Sequence, residues 1–341
     1  TPHAGYTGTD GFLIEVSDGI TTTTREVYVT VYAASSVWDG GHASEFATGT
    51  GTLGDPYIIA TAHQLAYFAD YVNAGGTEFV APYFRLKADI DLNQVPWDPI
   101  GYISDTADPY FQGYFDGDHH TISHVTIGSA EAPRNDLLTY GLFGNATNGE
   151  IRELNLVDVH IDVGTGSDTL YIGGLVGAFY PGGYVDNENC LIEQVSVSGS
   201  IHGGNNNTIG LLTGYIQGEV NECSSAGSVF SGTSVYAGGL VGFASAEAPF
   251  DGCFNTASVY IEGESESVAG GLIGFAQSVG MIPAVLDKSY STGNVISQET
   301  SYSVDAILGY YYDSLSNRYN NVYFNKEAYM VNGNDVAPIT T

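Results

Sequence analysis

A glycine-rich phrase returns through the second half of the chain at nearly constant intervals, and that interval limits the fold more than any other feature. It reads TYGLFG ending at Gly144, IGGLVG at Gly177, IGLLTG at Gly214, AGGLVG at Gly242, AGGLIG at Gly274 and DAILG at Gly309. The final glycines stand 33, 37, 28, 32 and 35 residues apart. Such a phrase holds too much glycine for a helix and too little side chain for an isolated strand. Self-similarity at this spacing marks a solenoid, in which each repeat covers its neighbour's apolar face.

Between the glycine phrases lies a second recurring one. It runs IRELNLVDVHI at 151–161, IEQVSVSGSIHG at 192–203, VNECSSAGSVFSG at 220–232, FDGCFNTASVYIEG at 250–263 and LDKSYSTGNVIS at 286–297. Apolar residues alternate with small polar ones, the period of a strand with one face inside. Helical periodicity is absent from 120 to 325, so each unit holds at least two short strands and no helix. Leu154, Val195, Cys223, Cys253 and Ser289 occupy one equivalent position and are expected to stack at the strand spacing of ~4.8 Å. Glycine then has a reason to repeat: at a coil's corner the backbone bends sharply and adjacent coils approach closely. Six coils give a rod with at least ~29 Å of regular stack.

Three cysteines, Cys190, Cys223 and Cys253, form no CxxC pair and no disulfide framework. In a ladder they read as small buried free thiols. Parallel side chains suit disulfide geometry poorly, although distance alone leaves a Cys223–Cys253 bond open.

Upstream of the stack, residues 57–75 (YIIATAHQLAYFADYVNAG) carry the helical pattern. Thr61 with Gln64 resembles a capping box, Leu65, Phe68, Ala69 and Val72 form the apolar face, and Gly75 suits the stop. A solenoid needs a polar-faced cap, and this helix is placed to be one. YFRLKADIDLNQ and FQGYFDGDHHTISHVTI follow as strand-like first coils. Residues 1–33 alternate cleanly and read as two antiparallel strands, which are marginal alone in water. That pair must dock on the cap, belong to a domain whose other strands are missing, or pair with another chain. Residues 34–54, rich in Ser, Gly, Ala and Thr, are expected to be a linker. Residues 326–341 are expected to be a C-terminal tail.

Acidic residues number 39 against 8 basic ones, for a net charge of −31. Nucleic acid and anionic lipid are excluded as partners, because phosphate binding needs clustered Lys and Arg. What remains is solubility at high ionic strength, attraction of cations, or both. No run reaches the ~18 apolar residues of a membrane span, and no signal segment opens the chain. The expectation is a soluble chain with no membrane insertion of its own, any targeting or anchoring sequence lying outside it.

Chemistry is sparse. There is no HExxH, no GxSxG and no phosphate-cradling loop. Asp89 with Asp91, and Asp116 with Asp118, are the carboxylate pairs whose alternation puts both members on one strand face, as acid–base work requires. Local turn hydrogen bonding accounts for them as well. His119, His120 and His124 cluster in sequence, and His120 and His124 share a face if extended. An exposed turn with one inward histidine outweighs a metal site there. Calcium at Asp116 and Asp118 stays open without EF-hand spacing. Asn145 and Asn206 head glycosylation sequons, meaningful only in a host that glycosylates. The 25 tyrosines either line a sugar-binding face or flank strands, with the structural role ahead. No residue is assigned a catalytic, cofactor-binding or metal role.

The span from about Asp55 to Phe324 resembles the GLUG-motif repeat family, mostly large extracellular and surface proteins including adhesins. DPYIIATAHQLAYFADYVN, YFRLKADIDLN, WDPIG at 97–101, FQGYFDGDHHTI at 111–122, YGLFG and the Gly-Gly-Leu-Val/Ile-Gly copies carry the resemblance. It implies an all-β, right-handed parallel β-helix over 55–325 with a helical cap at 57–75, a secreted destination and a prokaryotic source. One local departure is His119-His120, where the family has Gly-His. GYTGTDGFLIEVSDG with REVYVTVYA, within 1–33, resembles the last strands of cadherin-like tandem modules. The expectation is a non-enzymatic extracellular structural or adhesive β-helix, either a surface stalk or a self-assembling filament or sheath subunit. Its partners are other copies or surface and matrix proteins, joined by strand addition at residues 1–33, with glycans open. The alternative is a carbohydrate-active enzyme, glycosidase or polysaccharide lyase, on the same scaffold.

Overall fold

The computed structural model describes residues 8–17, 22–31, 36–77, 81–182, 190–233, 235–245, 249–262, 267–277, 286–297, 303–312, 319–320, 322–324, 329–331 and 334–335. Strands dominate, and nearly all of them run parallel in vertical columns. One column climbs through Tyr57–Ile59, Tyr83–Leu86, Phe111–Asp116, Phe143–Val163, Cys190–Gly203, Glu219–Asn221, Phe250–Asp251, Leu286–Asp287 and Tyr319–Asn320. A second shorter column, from Thr139–Tyr140 to Val304–Asp305, has six strands. The fold is all-β, a parallel β-helix. Among the described residues, nine floors at ~4.8 Å span about 38 Å, three floors more than the glycine phrase marks.

Alternation along each strand sends every second side chain inward, and register stacks like positions. Phe84, Phe115, Ile151, Ile192, Val220, Phe250 and Leu286 form one continuous internal ladder. Each is at most 4% exposed, and burying a side chain of this size contributes about 1.5–3 kcal/mol. The expected registry also holds. Leu154 lies under Val195, and the pairings of Ser196 with Ser224, Ser224 with Phe254 and Phe254 with Tyr290 carry Cys223, Cys253 and Ser289 up the same line. All three thiols are free and buried. Burial pushes the Cys190 and Cys253 thiols up to about 12 and Cys223 in the same direction.

The corner glycines serve close approach, while the sharp bend needs no left-handed backbone. None of the six final glycines has a φ between +20° and +160°. A Cβ on Gly177 would stand 2.6 Å from the Gly144 oxygen, on Gly214 2.7 Å from that of Gly177, and on Gly242 2.7 Å from that of Gly214. Gly274 and Gly309 repeat the contact at 2.7 and 2.6 Å. No real Cβ tolerates this, so the seam is glycine on every floor it crosses.

The helix α1 (Ala62–Asn73) begins later than the pattern suggested, because Tyr57–Ile59 is a strand paired with Tyr83–Leu86. Thr61 Oγ1 accepts from the Gln64 amide, and the Gln64 side chain returns to the Ala60 amide, one residue beyond a strict capping box. Gly75, with φ +84°, takes the left-handed stop. Leu65, Phe68, Ala69 and Val72 are buried.

Two boundaries need correction. Residues 36–54 are no linker: Ser36–Val37 pairs with Ile90–Asp91, Trp38 is 5% exposed with its ring 5.3 Å from Trp97, and Phe46 stacks on Tyr57 at 4.6 Å. Two aromatic anchors hold a segment whose average composition reads as loose. Within the expected tail, the described residues join the stack: Tyr329–Val331 pairs parallel with Val295–Ser297, and Asn334–Asp335 folds back antiparallel on it. At the other end, β1 (Gly8–Ser17) and β2 (Thr22–Val31) form an antiparallel pair in unbroken register. Among the described residues neither strand pairs with any other.

Candidate functional site

The four candidate aspartates lie on the outer face of the lower floors, and register decides what each meets. Arg85, Asp116, Arg152 and Glu193 follow one another in a single outward column. Asp116 Oδ2 is 2.9 Å from Arg85 Nη2 and 3.3 Å from Arg152 Nη2, and Arg152 Nη1 reaches Glu150 Oε1 at 3.3 Å. Beside this column Lys87 Nζ donates to Asp118 Oδ2 at 2.6 Å, and the Asp118 amide donates to Asp116 Oδ1. The Lys87 ammonium holds the Asp118 carboxyl below the usual range.

Asp89 and Asp91 do not act as a pair. Asp89 Oδ1 accepts from the Thr121 amide and contacts His120 Nδ1 at 3.1 Å. Asp91 Oδ1 accepts from the Asn93 amide and contacts His124 Nδ1 at 2.7 Å. Burial pushes the Asp91 carboxyl up, but His124 and the Asn93 amide outweigh it and leave it lowered. His119 faces Glu153 at 3.2 Å. The three clustered histidines therefore serve separate carboxylates, His124 reaching Asp158 at 3.6 Å as well as Asp91, with left-handed turns at Asp118, His119 and His124 turning the chain between them. Asp116 and Asp118 face arginine and lysine, an arrangement that competes with calcium. Among the described residues, no three His, Cys, Asp or Glu side chains are placed to hold a metal ion. Asn145 is 1% exposed within a strand, out of reach of glycosylation in the folded chain. One run of outward aromatics covers itself: Tyr215, Phe243, Phe275 and Tyr310 stack at 5.3, 5.0 and 5.5 Å.

One concavity on this face escaped the sequence reading. A cleft of about 180 Å³ is bounded by Leu53, Pro56, Tyr83, Tyr114, Arg85, Asp116, Glu150 and Arg152. The Tyr83 and Tyr114 rings are parallel, with centroids 4.2 Å apart. Burial pushes the Glu150 carboxyl up, only partly offset by Arg152. The signal was present in three aligned triplets, Tyr83-Phe-Arg85, Tyr114-Phe-Asp116 and Glu150-Ile-Arg152, once they are placed one above another.

The architecture has a solved counterpart. A crystal structure from Bacteroides ovatus, provisionally named an immunoglobulin A1 protease, superposes with a TM-score of 0.66 over 85% of this chain and 81% of the other, at 20% identity. That likeness concerns the fold. In sequence, 163 residues are 32% identical to a provisionally named Gly-rich membrane protein of Evansella cellulosilytica, covering 46% of this chain and 17% of the relative. Another 30% identity over 242 residues links 60% of the chain to 2% of a halomucin from Haloquadratum walsbyi. The chain thus spans a small part of the curated relatives it matches. No protein-family profile matches it. Among the described residues, no helix is long and apolar enough to cross a membrane.

Proposed function

We propose that the chain is a rigid, non-enzymatic rod of a prokaryotic extracellular surface, built from GLUG-type repeats within a longer protein. The observation that carries this reading is the nine-floor stack in continuous register, whose candidate acid residues are spent on ion pairs between floors. Likeness to short stretches of much longer proteins, one a membrane protein and one a halomucin by name, supports a repeated surface module. Reach and stiffness are what such a rod supplies. The strand pair β1–β2 is the joint: among the described residues each strand has one edge without a partner, open to addition of another chain's strand.

Deletion of residues 1–33 tests the joint. The expected outcome is an intact stack by circular dichroism with less association in light scattering and electron microscopy. Equal association of the shortened chain would remove the linking role. Release of products from a broad polysaccharide panel, lost on Asp116→Asn, would replace the rod by the enzyme.

A further inference from the structure

The cleft over Tyr83 differs from the rest of the surface in its charge. The chain carries −31 overall, yet the ionic lining here is two arginines against one aspartate and one glutamate. Its net charge is zero, which favours an uncharged ligand over the cations that the remaining surface attracts. At about 180 Å³ it is smaller than the ~300–1,000 Å³ of drug-sized pockets and fits a single ring-sized unit.

The lining also divides by chemistry. Tyr83 is the lowest ring of its column, with Tyr114 above it, and Pro56 and the 72% exposed Leu53, from the segment before Tyr57–Ile59, border the cleft. These give an apolar wall suited to ring C–H groups. Across from it stand planar, forked side chains. Arg85 uses Nε and Nη2 on Asp116, and Arg152 uses Nη1 and Nη2 on Glu150 and Asp116. Each guanidinium has five N–H donors, so both keep donors for hydroxyl oxygens, while the carboxylates accept from hydroxyl groups. The ion pairs fix these forks in place before any ligand arrives, which lowers the ordering cost of binding.

We infer that this cleft is a glycan subsite that takes one neutral pyranose unit of a polysaccharide, with Tyr83, Arg85, Asp116, Glu150 and Arg152 as its contacts. The inference is independent of the β1–β2 joint. It gives the rod a sugar contact near its capped end.

The test uses the full chain with its lining unchanged. Isothermal titration calorimetry follows binding of neutral gluco-, manno-, galacto- and xylo-oligosaccharides, of uronate oligosaccharides and of inorganic phosphate. Saturable binding of at least one neutral series is expected, weakened about tenfold or more by Tyr83→Ala or Arg152→Gln. Should those variants fail to fold, Glu150→Gln and competition by the free monosaccharide read the same site. No saturable neutral binding overturns the subsite, as does stronger binding of uronates or phosphate, or binding indifferent to folded Tyr83, Arg152 and Glu150 variants. Cleavage of a bound oligosaccharide supports the subsite while overturning the non-enzymatic rod, so the two readings fail separately.

Discussion

The lower and upper floors share one backbone plan and fill it with opposite chemistry. In a single internal column the lower floors place Ile90, Ile122, Leu156 and Val197, and the upper floors place Ser225, Asn255 and Ser291. All seven are at most 2% exposed. Outside, the lower floors alternate Arg85, Asp116, Arg152 and Glu193, while the same column continues upward as Asn221, Asp251 and Asp287. The stacked Asp251 and Asp287 share one cation, Lys288 Nζ, at 2.9 and 3.7 Å. Apolar stacking is non-directional and tolerates neighbours of similar size. A buried hydrogen-bonded column demands particular partners on particular floors. Geometry is therefore set by the repeat, and the source of stability is free to change within it.

The largest expected effect comes from breaking the polar column. Asn255 accepts from Ser225 Oγ at 2.8 Å, donates to Ser291 Oγ at 3.2 Å, and closes onto both the amide and the carbonyl of Ala257. Asn255→Leu strands these groups and is expected to cost about 4 kcal/mol in chemical denaturation, since each buried unmet group costs roughly 1–3 kcal/mol. Replacing Ser225, Asn255 and Ser291 together by Val, Leu and Val is expected to recover about half of that, because the two hydroxyls are removed while the Ala257 amide and carbonyl stay unmet. If the triple change is as damaging as the single one, the contrast between halves is mistaken.

Leu156→Ala makes the same cut in the lower half and leaves a cavity without polar orphans. A loss of about 3 kcal/mol is expected, with no rescue by polar replacements in neighbouring floors. Arg152→Ala is expected to cost about 1 kcal/mol, because its side chain is partly exposed and solvent screens the ladder. That cost should shrink in molar salt, and a salt-independent loss would point to packing instead.

The smallest effect is a difference in pH response. Asp118, in the lower half, has a lowered pKa, so its contribution is present above ~3.9 and is lost as pH falls through its folded value. Asp305, near the top, is raised by burial, only partly offset by amide bonds from Ile307 and Leu308. The folded chain binds the Asp305 proton more tightly, so this residue adds stability as pH falls toward ~3.9. Asp305→Asn, which keeps an acceptor oxygen, is expected to raise the thermal midpoint slightly at pH 7 and to lose that advantage near pH 4. An equal shift at both values would mean the Asp305 charge is not the cause.

Strand alternation, the cap helix and the vertical line from Leu154 to Ser289 were legible because each depends on short-range pattern. The lower floors were undercounted because aromatic rings replace the glycine phrase there. Phe68, for example, packs 4.4 Å from Phe84 and 5.7 Å from Phe115. Residues 36–54 were misread because Trp38 and Phe46 are two anchors among many small residues. The cleft was hidden for a different reason. Its contacts join Arg85, Asp116 and Arg152, residues 31 and 36 apart, and only exact register brings them together.

The glycine seam has a bearing on how such a protein changes size. Because the corner of every storey it crosses meets the next through bare backbone, inserting or deleting one whole repeat presents the same mating surface to whatever lies above and below. Length then becomes a trait that duplication can adjust in single steps. Side-chain novelty is confined to the walls, where it alters what the column touches without deciding how tall it stands.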